Sequence, residues 1–145
     1  MTKPTYPAET LDADSDDGTM PESRAALETA VVGQRIISVE RDVPVPDRYS
    51  DTRTGTVITL GNGKRVALAN TGDCCAYTEL EAFLLHADRI DHVITGVGTT
   101  DGYTKWHVYA DMGDVLELTV GWSCGNPFYY GYGFDITVLD NEEQP

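Results

Sequence analysis

The stretch that decides the fold is Thr56-Val57-Ile58-Thr59-Leu60-Gly61-Asn62-Gly63-Lys64-Arg65-Val66-Ala67-Leu68. It predicts a β-hairpin, because two strand-like runs flank an Asn-Gly pair that supplies the positive φ angles of a tight turn. Side chains alternate between the two faces of a strand, so the apolar residues of each run share one buried face. These residues are Ile58 and Leu60 in the first strand, and Val66 and Leu68 in the second.

Further strands are predicted on both sides of the hairpin. They cover residues 35–39, 92–97, 105–110, 115–122 and 130–139. Pro44 and Pro46 are expected to end the strand that precedes the hairpin, because proline cannot pair within a central strand. In the last strand, alternation predicts that Phe134, Ile136 and Val138 face inward and that Asp135 and Thr137 face outward.

Two short helices are predicted from capping-box patterns. Thr19-Met20-Pro21-Glu22 precedes a helix over residues 23–32, which Gly33 follows, and Thr78-Glu79-Leu80-Glu81 begins a second helix that runs to His86. The fold class predicted is therefore mainly β (α+β), with an antiparallel sheet or small barrel of six to seven strands and one or two short helices.

The chain divides into three regions by composition. Residues 1–20 are expected to form an acidic mobile arm, because they carry charge and few large apolar side chains. Residues 21–140 are expected to form a single β-rich domain, and residues 141–145 an acidic tail.

The charge of the chain restricts its partners. Among 145 residues, 24 are Asp or Glu and 10 are Lys or Arg, which gives a formal net charge of −14. Direct binding of nucleic acid is not expected, because it depends on Lys and Arg that neutralise phosphates. No apolar run is long enough for a membrane span or a secretory signal, so we expect no membrane partner and no secretion.

Several blocks of the sequence resemble a known family. They are Val32 to Glu40, the hairpin around Gly63, Gly72-Asp73-Cys74-Cys75, Ile90 to Val97, and the glycine- and tyrosine-rich Gly125 to Val138. Together, over Val32 to Leu139, they resemble a domain-of-unknown-function family of small β-rich proteins common in the genomes of actinobacterial phages. The resemblance implies a phage origin and a β-rich domain. It implies no activity.

Cysteine and histidine residues raise the question of a metal or thiol site. They are Cys74, Cys75, Cys124, His86, His92 and His107. Structural zinc sites take ligand pairs two to four residues apart, whereas Cys74 and Cys75 are adjacent, so we expect structural thiols with no metal and no cofactor. The alternative is a small metal- or thiol-dependent enzyme that uses Cys74, Cys75 and a nearby histidine.

The C-terminal forty residues have the most unusual composition. Residues 106–145 contain seven acids and eight aromatic residues but no Lys or Arg. The predicted binding surface consists of Phe128, Tyr129, Tyr130 and Tyr132, framed by Asp111, Asp114 and Asp135. The alternative is that these rings pack across the sheet as part of the core.

The function predicted from these features is protein–protein binding. We expect a non-enzymatic acidic phage accessory protein that binds a host or virion protein, either as a modulator of a host factor or as a minor virion or decoration component. Such a protein would act in the host cytoplasm or in the virion, and a homo-oligomer is compatible with this role.

Removing residues 1–18 is predicted to leave the fold intact, because these residues supply almost no apolar area. The melting temperature of the truncated chain is expected to stay within a few degrees of the full-length value. A larger decrease, measured by circular dichroism, would show that the arm packs against the domain.

Overall fold

The computed structural model describes residues 19–46, 52–72, 77–123 and 133–139. Within these ranges, helix α1 spans Thr19–Val31 and a 3₁₀ turn spans Ala87–Arg89. The strands are β1 (Ile36–Pro46), β2 (Thr52–Leu60), β3 (Arg65–Ala69), β4 (Thr71–Gly72), β5 (Tyr77–Leu85), β6 (Gly96–Thr100), β7 (Lys105–Ala110), β8 (Gly113–Ser123) and β9 (Asp135–Leu139).

The strands form two antiparallel sheets. Sheet 1 has the order β1-β2-β3-β9, and sheet 2 has the order β4-β5-β8-β7-β6. The prediction of a mainly β fold with antiparallel strands and a short helix is thus confirmed.

The hairpin of sheet 1 has the predicted register. Ile58 pairs with Val66, and Gly63 has a φ of 88° in the turn. The Asn62 side-chain oxygen accepts a hydrogen bond from the Lys64 amide at 2.9 Å, which stabilises the turn. All four residues expected on the buried face, Ile58, Leu60, Val66 and Leu68, are at most 2% exposed.

The helix predicted over residues 78–86 is wrong, because these residues form strand β5. Thr78 and Leu80 are buried while Tyr77 and Glu79 are exposed, which is the period of a strand. Pairing with β8 places Leu80 opposite Val120, and this tertiary pairing overrides the local capping-box pattern.

The expectation that prolines end the first strand is also wrong. β1 continues through Pro44 and Pro46 and pairs with β2 as far as Thr52. It is an edge strand of sheet 1, where the missing amide hydrogen of a proline can face away from the ladder. Asp42, with a φ of 59°, lies at a register shift that bends this strand.

The last strand is shorter than predicted and its faces differ in part. β9 begins at Asp135, and residues 130–132 lie outside the described part of the chain. Phe134 is buried as expected, but Asp135 is also buried and Val138 is 44% exposed. β9 is the other edge of sheet 1, and α1 packs against its start, whereas no described element packs over Val138 closely enough to bury it.

Helix α1 packs against β3 and β9 of sheet 1 and against β6 of sheet 2. Its buried residues are Met20, Ser23, Leu27 and Val31, which recur at helical spacing on one face. They join a main core built from both sheets, at whose centre Trp106 of β7 is fully buried.

Trp106 connects the helix and the two sheets. Its ring meets the Phe134 ring edge-on, with ring centroids 5.6 Å apart, and its indole N–H donates to the Tyr103 carbonyl at 2.9 Å. Phe134 leads into β9 of sheet 1, and its amide donates a hydrogen bond to the Ser23 hydroxyl of α1 at 3.1 Å. One aromatic pair therefore links sheet 2 to sheet 1 and to the helix.

The edge of sheet 2 is covered by the same helix. The Val97 amide of β6 donates to the Glu28 carboxylate at 3.0 Å, and Arg24 donates to the Val97 carbonyl at 2.8 Å. Arg24 and Glu28 also form an ion pair at 3.2 Å, one helical turn apart. The two side chains thus form hydrogen bonds with the main-chain groups that would otherwise pair with another strand.

Gly55→Ala is predicted to destabilise the fold by about 1–3 kcal/mol, because the added methyl group overpacks a filled space. A Cβ at Gly55 would overlap the Leu68 carbonyl and the Val45 side chain. Gly61→Ala is the matched control, since its Cβ would meet Arg35 Cβ at an ordinary 3.7 Å. Urea denaturation of both variants tests this, and equal losses of stability would contradict it.

Candidate functional site

One end of the two sheets gathers the residues that flank two segments of the chain; we call it the β4 end. Gly72 pairs with Tyr77, Tyr77 pairs with Ser123, and the Thr71 hydroxyl donates to the Gly133 carbonyl at 2.8 Å. The described residues that flank positions 73–76 and 124–132 therefore meet at this end. Those two segments lie outside the described residues and contain Cys74, Cys75, Cys124, Phe128, Tyr129, Tyr130 and Tyr132.

The outer face of β5 presents an aromatic ring and two acids at the β4 end. Tyr77 is 41% exposed, and Glu79 and Glu81 are also exposed. The Glu81 side chain lies over Gly121 of β8, where any Cβ would overlap its carboxylate. The sequence pattern did not indicate this row, because the predicted helix over these residues would not align Tyr77, Glu79 and Glu81 on one face.

A cleft of about 350 Å³ opens at the same end of the molecule. Its lining comes from β2, β4 and the connection before β4: Arg53, Thr54, Asn70, Thr71 and Gly72. A volume of this size is at the lower limit of sites that accept a small ligand or a large side chain.

The three predicted framing acids occupy different places. Asp135 lies at the β4 end, two residues after Gly133, but is only 7% exposed. Asp111 lies in the β7–β8 turn, its side chain 67% exposed and 2.8 Å from His92. β8 spans roughly 30 Å between Asp114 and Ser123, so the structure separates Asp111 and Asp114 from the β4 end.

Asp114 belongs to a second group of side chains, which we call the histidine–carboxylate cluster. It consists of His107, Asp114 and Glu117, whose nearest ligand atoms all lie within 4.8 Å of one another. His107 Nδ1 is 2.8 Å from the Asp114 carboxylate, and both side chains are nearly buried, at 12% and 13% exposure. Among the residues that the structure describes, this is the group of three whose geometry suits a metal ion.

A β-bulge assembles this cluster. His107 of β7 stands directly opposite Glu117 of β8, whereas Asp114 is three residues before Glu117 and would normally face the other side of the sheet. The register shifts between Val108 and Tyr109, so that β8 contributes an extra residue and Val115 and Leu116 are both buried. This shift returns Asp114 to the face of Glu117.

Other polar side chains hold the cluster in place. His86 Nε2 lies 2.6 Å from the Glu117 carboxylate, and the Thr100 hydroxyl lies 2.8 Å from His107 Nε2. Arg89 donates to the Asp114 main-chain carbonyl at 2.9 Å. His86 and His107 were candidate ligands together with the cysteines, but no spacing in the sequence links them to Asp114 and Glu117.

The family of the chain follows from a family-model comparison. The model described as Domain of unknown function (DUF7448) matches residues 29–136. The chain belongs to this family. The match extends from the end of α1 to the start of β9 and includes both sheets and the histidine–carboxylate cluster of this DUF7448 domain.

Other comparisons give no further relative. No curated protein and no solved structure matches the DUF7448 domain at a significant level. Within the described ranges, the helix is too short and too polar to be a candidate for crossing a membrane.

Asp135→Ala is predicted to destabilise the fold by about 1–3 kcal/mol, because it removes a buried polar group and leaves its surroundings unsatisfied. Asp111→Ala is expected to leave stability nearly unchanged, because Asp111 is exposed in a turn. Chemical denaturation compares the two variants. An Asp135→Ala variant as stable as Asp111→Ala would contradict this prediction.

Proposed function

We propose that the domain acts by binding another protein through the β4 end, without catalysing a reaction. The binding surface would combine Phe128, Tyr129, Tyr130 and Tyr132 with the exposed Tyr77. The observation that supports this most directly is that Tyr77 pairs with Ser123, the residue that leads into the tyrosine- and glycine-rich segment. Tyrosine and phenylalanine are enriched at the centres of protein interfaces, because each offers a large contact area with few rotatable bonds.

The charge at this end suggests the chemistry of the partner. Glu79 and Glu81 are exposed beside Tyr77 and take the place of Asp111 and Asp114 as the framing acids. With a net charge of −14, the domain would associate fastest with a basic protein surface, since acids at the rim of an interface mainly affect the association rate.

The biological setting that we propose rests on the sequence resemblance to phage proteins. In that setting the domain is an accessory protein of a bacteriophage, and its partner is a host factor or another virion protein. It would act in the host cytoplasm or in the virion. Self-association through the same surface is a further form of protein binding.

A second candidate function is a metal-dependent one. The histidine–carboxylate cluster favours it, because imidazole and carboxylate groups converge there from two strands, β7 and β8, and from the segment that follows β5. The thiol-based version of this function depends on Cys74 and Cys75, which the described residues do not include.

Aromatic substitutions at the β4 end are predicted to weaken partner binding without unfolding the domain. A partner captured from host or infected-cell lysate would be identified and its affinity measured with purified protein. Tyr77→Ala and the double variant Phe128→Ala/Tyr132→Ala are each expected to lose about 2 kcal/mol or more of binding free energy, as interface anchors do.

Met112→Ala is the matched control, because Met112 is 47% exposed but lies in the β7–β8 turn at the other end of β8. It should leave the affinity unchanged. If Met112→Ala weakens binding as much as Tyr77→Ala, or if the aromatic variants bind normally and keep their melting temperature, the surface lies elsewhere.

A further inference from the structure

We propose that the histidine–carboxylate cluster is a binding site for a divalent transition-metal ion of the Zn²⁺ class. The three ligands are His107 Nδ1, the Asp114 carboxylate and the Glu117 carboxylate. This site is independent of the protein-binding surface proposed above, because it lies on the outer face of sheet 2 away from the β4 end.

The spacing of the three donor atoms suits a metal ion. Ligands about 2.1 Å from a tetrahedral zinc ion lie about 3.4 Å from one another. In the cluster, His107 Nδ1 and the Asp114 oxygen are 2.8 Å apart, and all three donors lie within 4.8 Å. Glu117, with its side chain 29% exposed, can rotate to close the remaining distance.

The His107 ring has the orientation of a metal ligand. Metal-ligating histidines usually direct the second ring nitrogen to a hydrogen-bond acceptor, which fixes the tautomer and the plane of the ring. Here Nδ1 points to the acids while Nε2 meets the Thr100 hydroxyl at 2.8 Å. The ring is therefore held with one nitrogen directed towards the two carboxylates.

Neighbouring side chains orient the two acidic ligands, Asp114 and Glu117. His86 Nε2 contacts the Glu117 carboxylate at 2.6 Å from outside the group of three, and Arg89 holds the Asp114 main-chain carbonyl at 2.9 Å. Arg89 lies over Gly113, whose φ of 130° and missing Cβ allow that approach. Partners of this kind, which orient the ligands, are typical of metal sites.

The negative charges of the cluster favour the binding of a cation. Asp114 and Glu117 bring two carboxylates together at a partly buried place, and repulsion between like charges opposes this arrangement. A divalent cation would neutralise both charges. The nitrogen ligand favours zinc and its neighbours in the first transition row over Ca²⁺ and Mg²⁺, which take oxygen ligands.

Three protein ligands leave room in the coordination shell of such an ion. Zinc sites that keep an open position bind water or a ligand there, whereas purely structural sites are closed by four protein ligands. We therefore expect an ion at this site to keep at least one position for a solvent molecule or a small anion.

Zn²⁺ binding to the full-length chain tests the proposal. Isothermal titration is done in a Cys74→Ser/Cys75→Ser/Cys124→Ser background, so that thiols cannot supply ligands. One Zn²⁺ per chain is expected to bind, and Asp114→Asn and Glu117→Gln should each lower the affinity by about tenfold or more. His92→Gln is the matched control, because His92 forms the same 2.8 Å contact with Asp111 but belongs to no such group of three among the residues that the structure describes.

Imidazole ¹⁵N spectra of the same cysteine-free chain give a second measurement that needs no destabilising substitution at the site. Zn²⁺ should replace the proton on His107 Nδ1, which faces Asp114, and leave the ring proton on Nε2, so that the His107 signals change while the signals of His92 do not move. The proposal is overturned if the chain binds no Zn²⁺, if His92→Gln weakens binding as much as Glu117→Gln, or if the His107 signals are unchanged at saturation.

Discussion

The edge-on contact between Trp106 and Phe134 is the interaction on which the arrangement of the sheets depends. Trp106 belongs to sheet 2, whereas Phe134 precedes the last strand of sheet 1 and bonds to Ser23 of the helix. Apolar burial alone does not specify the relative position of two packed sheets, whereas an edge-on contact between two rings has a defined geometry. Removing the Trp106 ring would leave a large cavity among all three layers.

The outer face of sheet 2 shows how one inserted residue changes surface chemistry. Without the bulge in β8, Asp114 would face the core side and Val115 would face solvent. With the bulge, Val115 fills the core and Asp114 joins His107 and Glu117. The same backbone irregularity therefore serves packing on one face and brings polar groups together on the other.

The sequence predicts those parts of the molecule that local chemistry determines. The hairpin around Asn62 and Gly63 follows from turn chemistry and alternation, and both are local. β5 could not be predicted in this way, since the pattern at Thr78–Glu81 suits a helix start and only pairing with β8 makes it a strand. The histidine–carboxylate cluster could not be predicted for a related reason. Its geometry depends on the register between His107 and Glu117 and on a bulge that no residue type in the sequence indicates.

The cover that Arg24 and Glu28 place over β6 affects how the molecule behaves at high concentration. A sheet edge with open amide and carbonyl groups can recruit a strand from another molecule and so start a growing filament. A strand from another molecule could pair at Val97 only after the ion pair between Arg24 and Glu28 and their two hydrogen bonds to Val97 were broken. At the far edge of sheet 1, Pro44 and Pro46 offer no amide hydrogens at their own positions. Pairing of a strand from another copy is therefore opposed at these two positions.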